Sequence, residues 1–117
     1  LVAKDPSFSR LLVGYRVCPS LAVTPVPQGF NDQVHSDIPT LVYADEYDPV
    51  TPPDDSHHTA DALAHSTFVL FPGLGHVALF SGRPCPVTIF KAFLAAPASS
   101  VDTSCVASMG PPQWNVG

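Results

Sequence analysis

Positive charge is the scarcest commodity in this chain: lysine and arginine together number 5 against 10 aspartates and glutamates, for a net charge of −5 at neutral pH. No basic run occurs. A partner held through its phosphates needs clustered lysine and arginine to release the counterions, which argues against DNA and RNA. Long apolar runs are missing as well. The longest, such as residues 67–72 and 90–97, fall well short of the roughly 20 residues that cross a bilayer as a helix, so no membrane span is expected. The single methionine is Met109, and the chain opens on Leu1. A longer product with an upstream part is therefore expected.

Cysteine is sparse too, and its spacing excludes several chemistries. Cys18, Cys85 and Cys105 form no Cys-x-x-Cys and no zinc-type spacing, which argues against a structural zinc or a thioredoxin-like motif. There is no His-Glu-x-x-His; His57 and His58, with Asp54, Asp55 and Asp61, read as the solvated face of a helix rather than a metal site. His35 and His65 read as surface residues. No metal and no cofactor are expected.

What remains is apolar and heavily punctuated. Charged residues are only 13% while hydrophobic ones reach 45%, the opposite of a disordered composition, so a packed core follows. The 14 prolines mark the boundaries. Asp5-Pro6 with Phe8, Leu11, Leu12 and Tyr15 predicts a short capped helix, followed over 19–39 by a proline-rich covering loop. Residues 40–44, Thr-Leu-Val-Tyr-Ala, and 67–71, Thr-Phe-Val-Leu-Phe, are short continuous apolar runs of the kind that form strands buried on both faces.

Between them, Thr51 as cap and Pro52 as first residue predict a helix to about His65, with Asp54 and Asp55 where its dipole favours negative charge. A further helix is predicted from Pro86, with Val87, Phe90, Phe93 and Leu94 on one face and Pro97 as its stop. Phe68, Phe71, Phe80, Phe90 and Phe93 are core candidates, with a place at a site entrance as the other reading of Phe80. Trp114 is expected to dock the tail.

A strand, helix, strand order with short loops is the unit of a parallel sheet. Such sheets are flanked by more strands and covered by helices on both faces, so the expected fold class is α/β, a βαβα portion of a larger doubly wound, mostly parallel sheet. The expected division is 1–35 for the helix and covering loop, 36–114 for the α/β part and 115–117 for a tail.

Chemistry in open parallel sheets collects beyond the carboxyl ends of the strands. Asp48 follows the first strand and His76 the second, so both emerge on one rim if the strands are neighbours. A carboxylate that accepts a hydrogen bond from an imidazole fixes its tautomer and stabilises the imidazolium. The plainer reading is a turn aspartate before Pro49 and a solvated loop histidine. For the cysteines two readings also stand: Cys85 and Cys105 joined, which would stabilise by about 3 kcal/mol and point with the low lysine content to an oxidising compartment, or free buried thiols. Cys18 would then pair upstream or stay buried.

Tyr47-Asp48-Pro49-Val50-Thr51-Pro52, then Phe71-Pro72-Gly73-Leu74-Gly75-His76, then Cys85-Pro86, the Phe-Leu-x-x-Pro run ending at Pro97, and Asp102-Thr103-Ser104-Cys105 together resemble the C-terminal region of α/β-hydrolases of the tripeptidyl aminopeptidase (TAP-like) type. These are secreted serine peptidases and esterases related to proline iminopeptidases. The resemblance covers about 36–114. It implies that Asp48 is the acid and His76 the general base of a Ser-His-Asp triad, that Gly73 and Gly75 let the backbone turn so the imidazole meets the nucleophile, and that Cys85 pairs with Cys105. It implies a peptide or small-ester substrate and an extracytoplasmic or secreted protein.

The nucleophile is the departure. No serine of this chain stands in Gly-x-Ser-x-Gly, and Cys85, between two prolines, is a poor substitute. The expectation is a hydrolase whose nucleophile and oxyanion hole belong to the upstream part of the same protein, this chain alone being inactive. The alternative is a noncatalytic binding module that keeps the fold without the serine.

Overall fold

In a computed structural model of the chain, residues 24–30 and 32–111 are described. The predicted helix over 5–15, Cys18, Trp114 and the tail lie outside them. The chain divides into two compact units, Leu1–Asp32 and Gln33–Gly117. The described part of the first unit is a turn in which Gly29 adopts φ +83° and the Phe30 N–H donates to the Pro27 carbonyl at 3.1 Å.

In the second unit, the two apolar runs form strands β1, Thr40–Asp45, and β2, Ser66–Phe71. They pair in parallel from Thr40 opposite Ser66 to Asp45 opposite Phe71. Helix α1, Pro53–Asp61, is the crossover between them. Alternation along a strand sends Leu41, Tyr43 and Asp45, with Thr67, Val69 and Phe71, to one face, and Val42, Ala44, Phe68 and Leu70 to the other.

The first face holds the core. Val69 and Phe71 pack with Leu74, Ala78, Cys85, Ile89 and Met109. The Tyr43 ring meets Phe71 edge-on at 4.7 Å, and its hydroxyl donates to the Pro86 carbonyl at 2.8 Å. Burial pushes that phenol up to about 12, so it stays a donor throughout the physiological range. These contacts seat helix α2, Pro84–Ala95, on this face. The second face carries α1, where the His57 ring meets Phe68 at 4.9 Å and Ala60 and Ala44 are buried. A small parallel sheet with a helix on either face is α/β architecture.

Cys85 and Cys105 are joined by a disulfide with Cα atoms 5.8 Å apart. The bridge ties the first turn of α2 to a 3₁₀ turn, Ser104–Ser108. Met109, immediately beyond it, fills the core.

Several expectations change. Helix α1 starts at Pro53 and Thr51 does not cap it, because the threonine hydroxyl is committed elsewhere, as described below. It ends at Asp61 rather than His65, where Leu63 forms a parallel bridge with Ser36 and the Ala64 N–H donates to the Ser36 carbonyl. Helix α2 begins two residues before Pro86, since a proline in the first turn forfeits no helical hydrogen bond.

The inward face of α2 is Cys85, Pro86 and Ile89, not the predicted stripe, and Phe90 and Leu94 are exposed. The helix is apolar on most sides, so periodicity alone left its orientation open. Phe80 is 88% exposed and leaves the core set. The strands are only partly shielded, Leu70 being 41% exposed, because two strands give each other little cover.

Candidate active site

The segments that leave β1 and β2 are stitched together by their backbones. The Glu46 N–H donates to the Phe71 carbonyl at 3.1 Å and the Tyr47 N–H to the Leu74 carbonyl at 2.9 Å. Glu46 also accepts the Gly73 N–H through Oε2 at 2.8 Å, and Gly73 turns there at φ +71°. Parallel pairing had already placed both strand ends on one rim. These bonds bring the next residues, Asp48 and His76, within reach of each other.

Asp48 is buried and saturated. Its Oδ1 accepts the N–H groups of Val50 at 2.8 Å and Thr51 at 3.1 Å, and its Oδ2 accepts the Thr51 hydroxyl at 2.6 Å. The fourth contact is His76 Nδ1, 2.9 Å from Oδ2. An aspartate before proline bonding its own following backbone is turn chemistry, and here the same carboxylate also holds the imidazole. Burial works to raise its pKa. The Thr51 hydroxyl, His76 and the Thr51 and Val50 N–H groups outweigh burial and hold the carboxyl well below the usual carboxylate range.

A carboxylate that stays ionised is an acceptor only, so the contact makes His76 Nδ1 the donor. The His76 side chain is 48% exposed against 4% for Asp48. Among the described residues Nε2 makes no hydrogen bond. The pair is thus a sealed carboxylate beneath an accessible imidazole. It borders a cleft of about 220 Å³ lined by Tyr43, Asp45, Thr51, Val77, Ala78 and Leu79.

Two neighbours of the pair are unusual. Asp45, the last residue of β1, is 4% exposed and accepts the Ala78 N–H through Oδ2 at 2.9 Å. Val77 has φ 66° and ψ 75°, the one non-glycine residue at positive φ among those described. For a β-branched residue that conformation costs about 1–3 kcal/mol. Gly75 is not at positive φ, and a Cβ there would meet nothing within 4 Å. The left-handed positions of this loop are therefore Gly73 and Val77.

The remaining candidates stand apart from the rim. His57 and Asp61, both largely exposed, pair at 3.2 Å along α1, where the His57 ring also meets Phe68 edge-on. Among the described residues no group of three or more histidine, cysteine or acidic side chains is placed to hold a metal ion. Both sulfurs of Cys85 and Cys105 are spent in their bridge. Thr51, Asp45 and Val77 carry no signal of their own in the sequence: Thr-Pro reads as a helix start, Asp45 as a turn residue just past the strand, and valine as a residue unsuited to a left-handed turn.

Compared with known proteins, residues 5–105 match the model of one family, described as TAP-like protein. No curated protein and no solved structure matches the chain. No helix among the described residues is long and apolar enough to cross a membrane.

Proposed function

The chain belongs to the TAP-like proteins, an α/β-hydrolase family, and from that premise we propose that it supplies the acid and base, Asp48 and His76, of a Ser-His-Asp triad whose serine lies in a segment preceding Leu1. The observation that carries this reading is the 2.9 Å contact between His76 Nδ1 and Asp48 Oδ2 on the carboxyl rim of two parallel strands. It leaves Nε2 as the free nitrogen beside a cleft.

In the proposed reaction the serine oxygen attacks the carbonyl carbon of a peptide or small ester while His76 Nε2 takes the hydroxyl proton. The imidazolium so formed keeps Nδ1–H on Asp48, which remains a carboxylate. Collapse of the tetrahedral intermediate breaks the bond to the amine or alcohol, which leaves with the proton from Nε2. Water then attacks the acyl carbon while its proton passes to Nε2, and collapse of the second tetrahedral intermediate breaks the acyl–serine bond, returns that proton from Nε2 to the serine oxygen and frees the acid. Donors to the oxyanion come from the same preceding segment as the serine. The disulfide supports an extracytoplasmic setting.

The test is expression of the coding region upstream of Leu1 joined to this chain. The joined protein should be labelled by a fluorophosphonate and should hydrolyse chromogenic peptide amides or esters. His76→Ala should abolish turnover, and Asp48→Asn should lower kcat by about 10⁴-fold by favouring the wrong tautomer. The 117-residue chain alone should be inert. A joined protein that carries a serine elbow yet is neither labelled nor active favours the noncatalytic module and sinks the proposal.

A further inference from the structure

Three carboxylates at and just past the end of β1, Asp45, Glu46 and Asp48, reach the loop that carries His76, and the proposed triad uses one of them. Asp48 holds the ring. Asp45 holds the backbone two residues past it, by accepting the Ala78 N–H at 2.9 Å. That second carboxylate is costly to keep, because it is 4% exposed and its Oδ1 is buried without a hydrogen-bond partner among the described residues. Burial raises its pKa; the Ala78 N–H opposes this, the Asp48 charge adds to it, and His76 and the Val77 N–H oppose it. Asp48 and His76 are the charged or titratable groups that face it.

The bond has a specific burden. Val77, between the histidine and Ala78, sits in the left-handed region that a β-branched residue avoids. Relaxation of Val77 would rotate the chain on both sides of it. The Asp48 bond restrains the His76 side only through a side chain with two rotatable bonds, whereas the Asp45 bond grips the peptide between Val77 and Ala78 directly.

We propose that Asp45 is a positioning residue for His76: by anchoring the strained backbone after Val77 to the end of β1, it keeps Nδ1 on Asp48 and Nε2 free toward the cleft. This rests on His76 being the base, but it is tested on the chain itself. The ring nitrogens of His76 and the exchange of backbone amides are followed by NMR in the full 117-residue chain.

The wild-type chain should hold His76 as the Nδ1–H tautomer with a protected downfield ring proton. In Asp45→Ala the tautomers should mix, the downfield proton should be lost, and the Ala78 amide should exchange at least tenfold faster while the amides of β2 keep their protection. Asp45→Asn, which retains an oxygen acceptor, should restore both signals. Wild-type ring signals in a folded Asp45→Ala chain would overturn the proposal. Should Asp45→Ala not fold, Asp45→Asn decides: retained ring signals support the clamp, and their loss refutes it. Fluorophosphonate labelling plays no part in these readouts, so a clamped histidine in a protein that never labels would leave this inference standing while the triad assignment falls.

Discussion

Replacing both members of the Cys85 to Cys105 bridge by alanine should remove about 4 kcal/mol of stability. The larger share comes from the unfolded state. The bridge closes a span of 20 residues, and the loop-entropy relation assigns a cross-link of that span about 3 kcal/mol at room temperature. The remainder comes from the folded state, where Cys85 is buried in the cluster with Phe71, Ile89 and Met109. Loss of its sulfur leaves a void of about a methyl group, worth about 1 kcal/mol. Domains of this size have about 5–15 kcal/mol in total, so the loss is a large fraction.

The assay is urea denaturation followed by circular dichroism. With an m-value of about 1.5 kcal/mol per molar, the midpoint should fall by roughly 2–3 M. Reducing the wild-type chain should reproduce the entropic part, about 2 M, because the two thiols then remain to fill the site. A wild-type midpoint indifferent to reductant, or a double variant within about 0.5 M of wild type, would refute the reasoning at its root, since neither packing nor strain is invoked to produce the larger share.

Ile89→Ala should cost about 2–5 kcal/mol, because that side chain is fully buried on the inner face of α2; Phe80→Ala, on a side chain 88% exposed, should stay within about 0.5 kcal/mol by the same denaturation. Thr51→Val removes the hydroxyl that donates to Asp48 at 2.6 Å, and the Asp48 carboxyl should then titrate closer to the ordinary carboxylate range by ¹³C NMR. The two rim aspartates should bend the pH dependence of stability in opposite senses. Asp48, held low in the fold, contributes stability that is full above its unfolded pKa of about 3.9 and is lost as pH falls below it; Asp45, raised in the fold, contributes stability that is full below about 3.9 and is lost as pH rises through its folded pKa. Wild type should therefore weaken relative to Asp48→Asn on acidification and relative to Asp45→Asn as pH rises from about 4, and parallel curves for either pair would refute that assignment.

The scaffold of the rim was legible because its signals are local. Two apolar runs bounded by prolines, with a helix between them, are enough to predict adjacent parallel strands, and the residues just beyond their ends are then neighbours by geometry. What stayed hidden depends on partners far along the chain. Thr51 before Pro52 matches a helix cap, and only the fold shows its hydroxyl committed to Asp48. Asp45 looks like a turn residue past the strand until Ala78 is found against it. Glycines at 73 and 75 mark a turn, yet the second strained position is Val77, where no intrinsic preference would place it. The inner face of α2 departs from its apolar stripe because an apolar helix with a cysteine at its start is oriented by the bridge and by Tyr43, neither of which periodicity registers.

The hydrogen bonds that fix Asp48 and His76 all begin and end between Asp45 and Ala78. The carboxylate, the imidazole and their supports thus travel as one contiguous stretch of sequence. Exchange or drift of sequence outside this stretch removes none of these bonds, and a recombination that keeps the stretch whole passes on both members of the pair already aligned.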